Sequence, residues 1–267
     1  MRQLANFMNL IQNENMKIYR RVRTWIMLGI IVFLPILISL GVLAASGTDA
    51  GSSWSMMIIE STISLMLITI FTAVVASETV AGEFTWGTIK LLLIRPWSRS
   101  AILLSKYIST LLFALALTVI TFVITLLINM AVFGSSDGEQ LSSVAGMSNM
   151  EYVLQFYLLQ FVSLIIIITF GFMMSSAFRS SGLAIGLSIF LLFAGSIITG
   201  LLAMTDKPWV EYILFMHLDL TSYINNAQGP FQNHPMSLGF SLGVLAIYFV
   251  VFNLISWSVF RKRDIAA

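Results

Sequence analysis

Long uncharged apolar runs alternate along this chain with shorter segments that carry the polar and charged residues. Trp25 to Ala45 has no charge, and Trp54 to Ser77 is interrupted only by Glu60. Tyr107 to Phe133, Tyr152 to Phe178, Ser180 to Thr205 and Ser237 to Phe260 are again uncharged. Each run reaches the ~20 residues that an α-helix needs to cross a hydrocarbon core. The runs are continuous rather than alternating, which excludes a membrane β-barrel. The pattern predicts an all-α polytopic membrane protein with six transmembrane helices, at about 25–45, 55–77, 105–133, 152–178, 183–203 and 237–260. Leu43-Ala44-Ala45-Ser46 has the small residues of a leader cleavage site. The 24 residues before the first run are too long for a leader's basic region, so the run is read as a retained span.

Three apolar segments are too short to span. In residues 1–24, Leu4, Phe7, Met8, Ile11, Ile18, Tyr19 and Val22 recur at three- and four-residue steps, opposite Asn6, Asn9, Asn13, Lys17, Arg20 and Arg21. This spacing predicts an amphipathic helix, lying on the membrane surface or held as a solvated juxtamembrane helix. Glu78 to Lys106, between spans 2 and 3, is unusually apolar for a connecting loop and holds Phe84, Trp86 and Leu91 to Ile94. A short helix over about Glu83 to Ile94, stopped by Arg95-Pro96, is the expectation. Trp209 and Tyr212 to Met216, before span 6, predict a short re-entrant or interfacial helix. Residues 261–267 form a basic tail.

Composition agrees with lipid as the main solvent. Apolar residues make up 58% of the 267 and charged residues 10%, against about 25% charged in an ordinary soluble domain. With 14 basic and 12 acidic residues the net charge of +2 gives no argument for nucleic acid. Its distribution is more informative: of the 14 Lys and Arg only Lys207 falls on the face opposite the termini. The positive-inside rule then puts both termini in the cytoplasm. There is no Cys, and only His217 and His234, so neither a thiol nucleophile nor a Cys- or His-rich metal site is expected. His217 reads as a structural polar group. No Walker-type GxxxxGK[ST] or HExxH stretch occurs, so this chain has no phosphate cradle of that kind.

The loop between spans 2 and 3 carries a family pattern. Glu83-Phe84-Thr85-Trp86-Gly87-Thr88, then Leu91-Leu92, Pro96, Ser98-Arg99 and Ser105-Lys106, resembles the membrane subunits of ABC-2 type transporters. The resemblance implies that this loop is a coupling helix docked on an ATPase subunit, with Glu83, Phe84, Trp86, Gly87, Thr88, Leu91, Leu92, Pro96 and Arg99 as coupling residues. It implies two copies of a separate ATPase, which hold the ATP and magnesium, so this chain binds no cofactor itself. It also implies a second permease copy, identical or related, a bacterial plasma-membrane location, and export of a hydrophobic or amphipathic cargo. Read from the residues alone, Trp86 and Trp97 also suit a loop anchored at the membrane interface.

Intramembrane polar groups are costly and therefore worth naming. Glu60 and Asn129 are candidates for a translocation path. Glu60 equally suits a residue that snorkels or bonds a nearby Ser or Thr, while Asn129, Gln155 and Gln160 suit interhelical hydrogen bonds. Gly182-x-x-x-Gly186 and Gly239-x-x-x-Gly243 permit close helix approach, expected within the chain or at a dimer seam. An ion-coupled secondary transporter and a non-transport signalling or assembly subunit are the rival readings.

Overall fold

The computed structural model describes residues 2–46, 52–89, 97–134, 141–142, 146–205, 207–225, 229–231 and 234–262. Helix α1 (Arg2–Tyr19) leads into α2 (Val22–Ser46), α3 (Ser53–Glu78) and a short α4 (Ala81–Thr85). Then follow α5 (Arg99–Phe133), α6 (Asn149–Ala177), α7 (Ser181–Leu202) and α8 (Leu238–Lys262). Between α7 and α8 lie three single-turn 3₁₀ helices, Pro208–Tyr212, Leu214–His217 and Thr221–Tyr223. No strand occurs among the described residues, and six helices (α2, α3, α5, α6, α7 and α8) are long and apolar enough to cross a membrane. The chain is an all-α integral membrane protein.

Serine punctuates the spans. Ser52, Ser98, Ser148 and Ser180 stand at the N-caps of α3, α5, α6 and α7, and each hydroxyl accepts from the backbone N–H three residues on. Orphan donors are thereby satisfied at membrane ends, where water competes poorly. Ser98 also moves the start of the third span to Arg99, one to two turns earlier than the hydrophobic run suggests.

Helix α3 is the hub, packed against α2, α5, α6 and α7, while α8 leans mainly on α6. The fully buried Phe113, Leu117, Phe172 and Ile168 fill the centre. A Cβ at Gly171 of α6 would lie 3.0 Å from Ser77 Oγ and 3.3 Å from the Ala73 carbonyl, so α3 and α6 approach closely there. The expected glycine pairs play no such part: Gly186, Gly239 and Gly243 have open space where a Cβ would stand. Within the spanning helices the close contacts are made instead by Gly171 and by Gly195, against which the Phe215 ring lies.

The three non-spanning segments depart from the simple pattern. Helix α1 buries Leu10 and Ile11 and packs along α5, leaving Met8 and Met16 exposed, so its apolar side is divided between protein and surroundings. The helix after span 2 covers Ala81–Thr85 and overlaps the start of the expected 83–94, of which residues 90–94 lie outside the described residues. Gly87, at φ +69°, turns the chain out of it. The segment before span 6 forms 3₁₀ turns rather than an α-helix, with Val210 and Met216 buried and Trp209 and Tyr212 exposed. Short runs of this length gain little from the longer α-helical repeat.

Candidate functional site

The site is the junction where α1, α2, α3, α4 and the start of α5 meet on one face. Two side chains of α2 reach back to α1: the Thr24 hydroxyl donates to the Ile18 carbonyl at 2.6 Å, and the Trp25 indole donates to the Tyr19 carbonyl at 3.0 Å. The Ile18 carbonyl also accepts from the Arg21 N–H at 3.4 Å, and these bonds together fix the elbow at Arg20-Arg21. On the other side of the junction α3 breaks into α4 at Thr79-Val80. The Ser175 hydroxyl of α6 accepts from both the Val80 and Ala81 N–H groups at 2.9 Å. At the far end of α4 the Thr85 hydroxyl accepts from the Ser181 N–H at 3.0 Å, where α7 begins. Helix α4 is therefore tied at one end to span 4 and at the other to span 5.

Four charged groups lock α1, α4 and α5 together. Lys106 Nζ donates to Glu14 Oε2 and to Glu83 Oε1, both at 2.8 Å, and its side chain is 3% exposed. Lys17 Nζ donates to the same two acids, at 2.8 Å to Glu14 and 2.9 Å to Glu83. The Thr88 hydroxyl also donates to Glu83. Burial pushes the Glu83 carboxyl up, but Lys106 beside it, with Thr88 and Lys17, outweighs this and brings its pKa down to about 2. Glu14 is likewise raised by burial and more strongly lowered by Lys106 and Lys17. A second pair of cations, Arg21 (2.5 Å) and Arg23, closes on Glu78 at the end of α3. Buried ions are tolerated only when compensated, and here each acid has two cationic partners.

The expected coupling residues separate into distinct environments. Glu83 is the anchor of the ion cluster, and Phe84 is half-buried against the core. Trp86, 74% exposed, stands with Gly87 and Thr88 on the surface. Arg99 is engaged elsewhere, donating to the Arg261 carbonyl at the end of α8 at 3.0 Å. Leu91, Leu92 and Pro96 lie outside the described residues. Glu14 was not marked by the sequence reading, although its position four residues after Leu10 and three after Ile11 places it in the buried stripe of α1.

The two pathway candidates meet inside the membrane. Glu60 lies about 10 Å along α3 from its first residue, by helical rise, and is fully enclosed. The Ser39 hydroxyl of α2 donates to Glu60 Oε1 at 2.5 Å, and Asn129 Nδ2 of α5 donates to Oε2 at 2.6 Å. At the next residue of α3, the Ser61 and Tyr157 hydroxyls share a hydrogen bond of 2.6 Å. Glu60 and Asn129 thus bind spans 1, 2 and 3 to one another, and Ser61 with Tyr157 adds span 4. Of the readings of Glu60, bonding to a nearby Ser is the one these contacts display. Gln155 and Gln160 are exposed to half-buried on α6. His217 is buried, with its ring nitrogens on Ser241 Oγ at 2.9 Å and the Glu211 carbonyl at 2.8 Å, an interhelical packing role. Among the described residues no cluster of His, Asp and Glu is arranged to hold a metal ion.

The fold and the junction define a six-helix integral membrane protein with a short, side-chain-anchored helix between its second and third spans. Residues 32–266 match the family described as "Protein of unknown function (DUF2705)", and the chain belongs to that family. It is similar to "Uncharacterized protein YhcI" of Bacillus subtilis (strain 168), 34% identical over 316 aligned positions that cover 97% of this chain and 99% of that one. It is also similar to "Uncharacterized membrane protein YdbK" of the same organism, 29% identical over 200 positions covering 75% of this chain and 78% of that one.

Proposed function

We propose that the chain is the permease subunit of an ATP-driven exporter of the ABC-2 type. It moves a hydrophobic or amphipathic cargo across a bacterial plasma membrane, with both termini in the cytoplasm. Two separate ATPase subunits bind ATP and magnesium, and a second permease copy completes the pore. The observation that carries this reading is the construction of α4. Exposed Trp86, Gly87 and Thr88 form its outer side, while its inner side is fixed by Glu83 to α1 and α5, by Ser175 to α6 and by Thr85 to α7. A push on Trp86 therefore reaches several spans as one rigid displacement, as a coupling element requires.

The chain has no Cys, so Thr88→Cys offers one reactive position. On co-expression with an ATPase encoded beside it, this variant is expected to crosslink to that ATPase and to shift its mobility. Absence of crosslinking from Trp86→Cys and Thr88→Cys alike, with no ATPase co-purifying, contradicts the proposal.

A second reading, ion-coupled secondary transport, is favoured by the enclosed acid Glu60 alone. It predicts cargo movement in vesicles that carry an ion gradient and no ATPase, abolished by Glu60→Gln.

A further inference from the structure

On the α1 face an open cleft of about 510 Å³ lies between the α1–α2 elbow, the last turn of α3 and α4. Three carboxylates line it, Glu14, Glu78 and Glu83, against five cations. Lys17 and Lys106 are consumed by Glu14 and Glu83, and Arg21 and Arg23 share the single carboxylate of Glu78. Arg20 has no ion-pair partner among the described residues, and the Arg23 Nε, though buried, lacks a hydrogen-bond acceptor. The cleft thus holds a surplus of guanidinium donors in a fixed fork geometry that suits a phosphate.

Its depth narrows the source of that phosphate. Arg23 is the second residue of α2, and Glu78 is the last of α3, so the wall of the cleft is made by the ends of two membrane spans. One and two turns deeper, on the side of α2 that bears Arg23, Ile26 and Ile30 are 58% and 40% exposed. The elbow also exposes Trp25, an interfacial residue whose indole is already satisfied by the Tyr19 carbonyl. A cationic cleft at headgroup depth, continued downward by an apolar stripe, fits a molecule with a phosphate head and acyl tails. We infer that this cleft binds the headgroup of an anionic phospholipid, with Arg20 and Arg23 on the phosphate and Ile26 and Ile30 along an acyl chain. The inference stands apart from the ATPase reading, since it requires only the membrane and this chain.

The test uses the full chain in a neutral detergent, with thermal unfolding as the readout. Short-chain phosphatidylglycerol is expected to raise the midpoint in a saturable way, while short-chain phosphatidylcholine leaves it unchanged. Arg20→Gln, which breaks no ion pair, is expected to weaken the phosphatidylglycerol effect about fivefold in half-saturating concentration, the size of one arginine near an anionic lipid surface. Arg179→Gln, an exposed arginine on the same face outside the cleft, is expected to keep it. Three results overturn the inference. One is an equal gain from inorganic phosphate or glycerol phosphate, which makes the cleft a soluble-phosphate site. Another is no gain from phosphatidylglycerol. The third is an equal loss in Arg20→Gln and Arg179→Gln, which reduces the effect to overall charge.

Discussion

Glu83 and Glu60 are both acids enclosed at a junction of several helices, and the protein treats them in opposite ways. Glu83 meets two lysines, Lys106 and Lys17, and a threonine hydroxyl. Glu60 meets only neutral donors, the Ser39 hydroxyl and the Asn129 amide. The difference follows from depth. Near the end of a span a lysine stem reaches an acid from a neighbouring helix without leaving its own charge in hydrocarbon. Deeper in the membrane a cation costs too much, and hydroxyls and amides take its place. The first arrangement is rigid and charge-dependent, which suits a junction that transmits force. The second ties spans 1, 2 and 3 together by hydrogen bonds alone.

This contrast predicts unequal costs. Lys106→Met leaves Glu14 and Glu83 buried with only the half-exposed Lys17 between them, and is expected to destabilise by about 3–5 kcal/mol. Glu60→Gln keeps the shape, with its carbonyl oxygen accepting from Asn129 Nδ2 and its amide nitrogen donating to the Ser39 hydroxyl, and is expected to cost about 1 kcal/mol or less. Thermal or denaturant unfolding in detergent ranks the pair, and a costlier Glu60→Gln breaks the comparison. Gly171→Val, which drives a side chain into Ser77 and Ala73 across the α3–α6 contact, falls between these two at about 1–3 kcal/mol.

The pH responses of the two ends also differ. Glu83 has its folded pKa lowered to about 2 from 4.5, so its contribution is complete above about 4.5 and is lost as pH falls toward 2. Glu83→Gln is expected to flatten the acid limb of a stability–pH curve over that window. His217, outside the spans, has its pKa lowered from 6.5, chiefly by burial. The unfolded chain then binds a proton at higher pH than the folded one, so stability is full above about 6.5 and falls on acidification below it. Protection from hydrogen exchange at Val210 to Met216, taken relative to the intrinsic rate at each pH, is expected to fall on acidification in the native protein, and to lose that dependence in His217→Gln.

The six spans were legible because length and continuous apolarity suffice to define them. The ion cluster was not, since it depends on Glu14 and Lys106 meeting across 92 residues, and no local pattern encodes that distance. Only Glu14's place in the apolar stripe of α1 hinted at a buried acid. Glu60 and Asn129 were each visible as costly polar groups, whereas their mutual bond required the packing of α3 on α5. Within the chain the glycine pairs make no close approach, for a related reason. Small residues allow close packing without demanding it, and Gly171 makes the closest contact between spans outside any such pair.

The smallest structural effect is expected at Trp86, where the side chain is exposed and Trp86→Ala changes stability by about 0.5 kcal/mol or less. Its functional effect makes it the most direct test of the coupling account. The measurement is ATP hydrolysis by the ATPase proposed as partner, reconstituted in lipid with the wild-type chain or with the Trp86→Ala variant. The account predicts that the wild-type chain alters the hydrolysis rate and that Trp86→Ala, folded and inserted as before, loses most of that effect. Equal rates with wild type, with Trp86→Ala and with neither chain would contradict it.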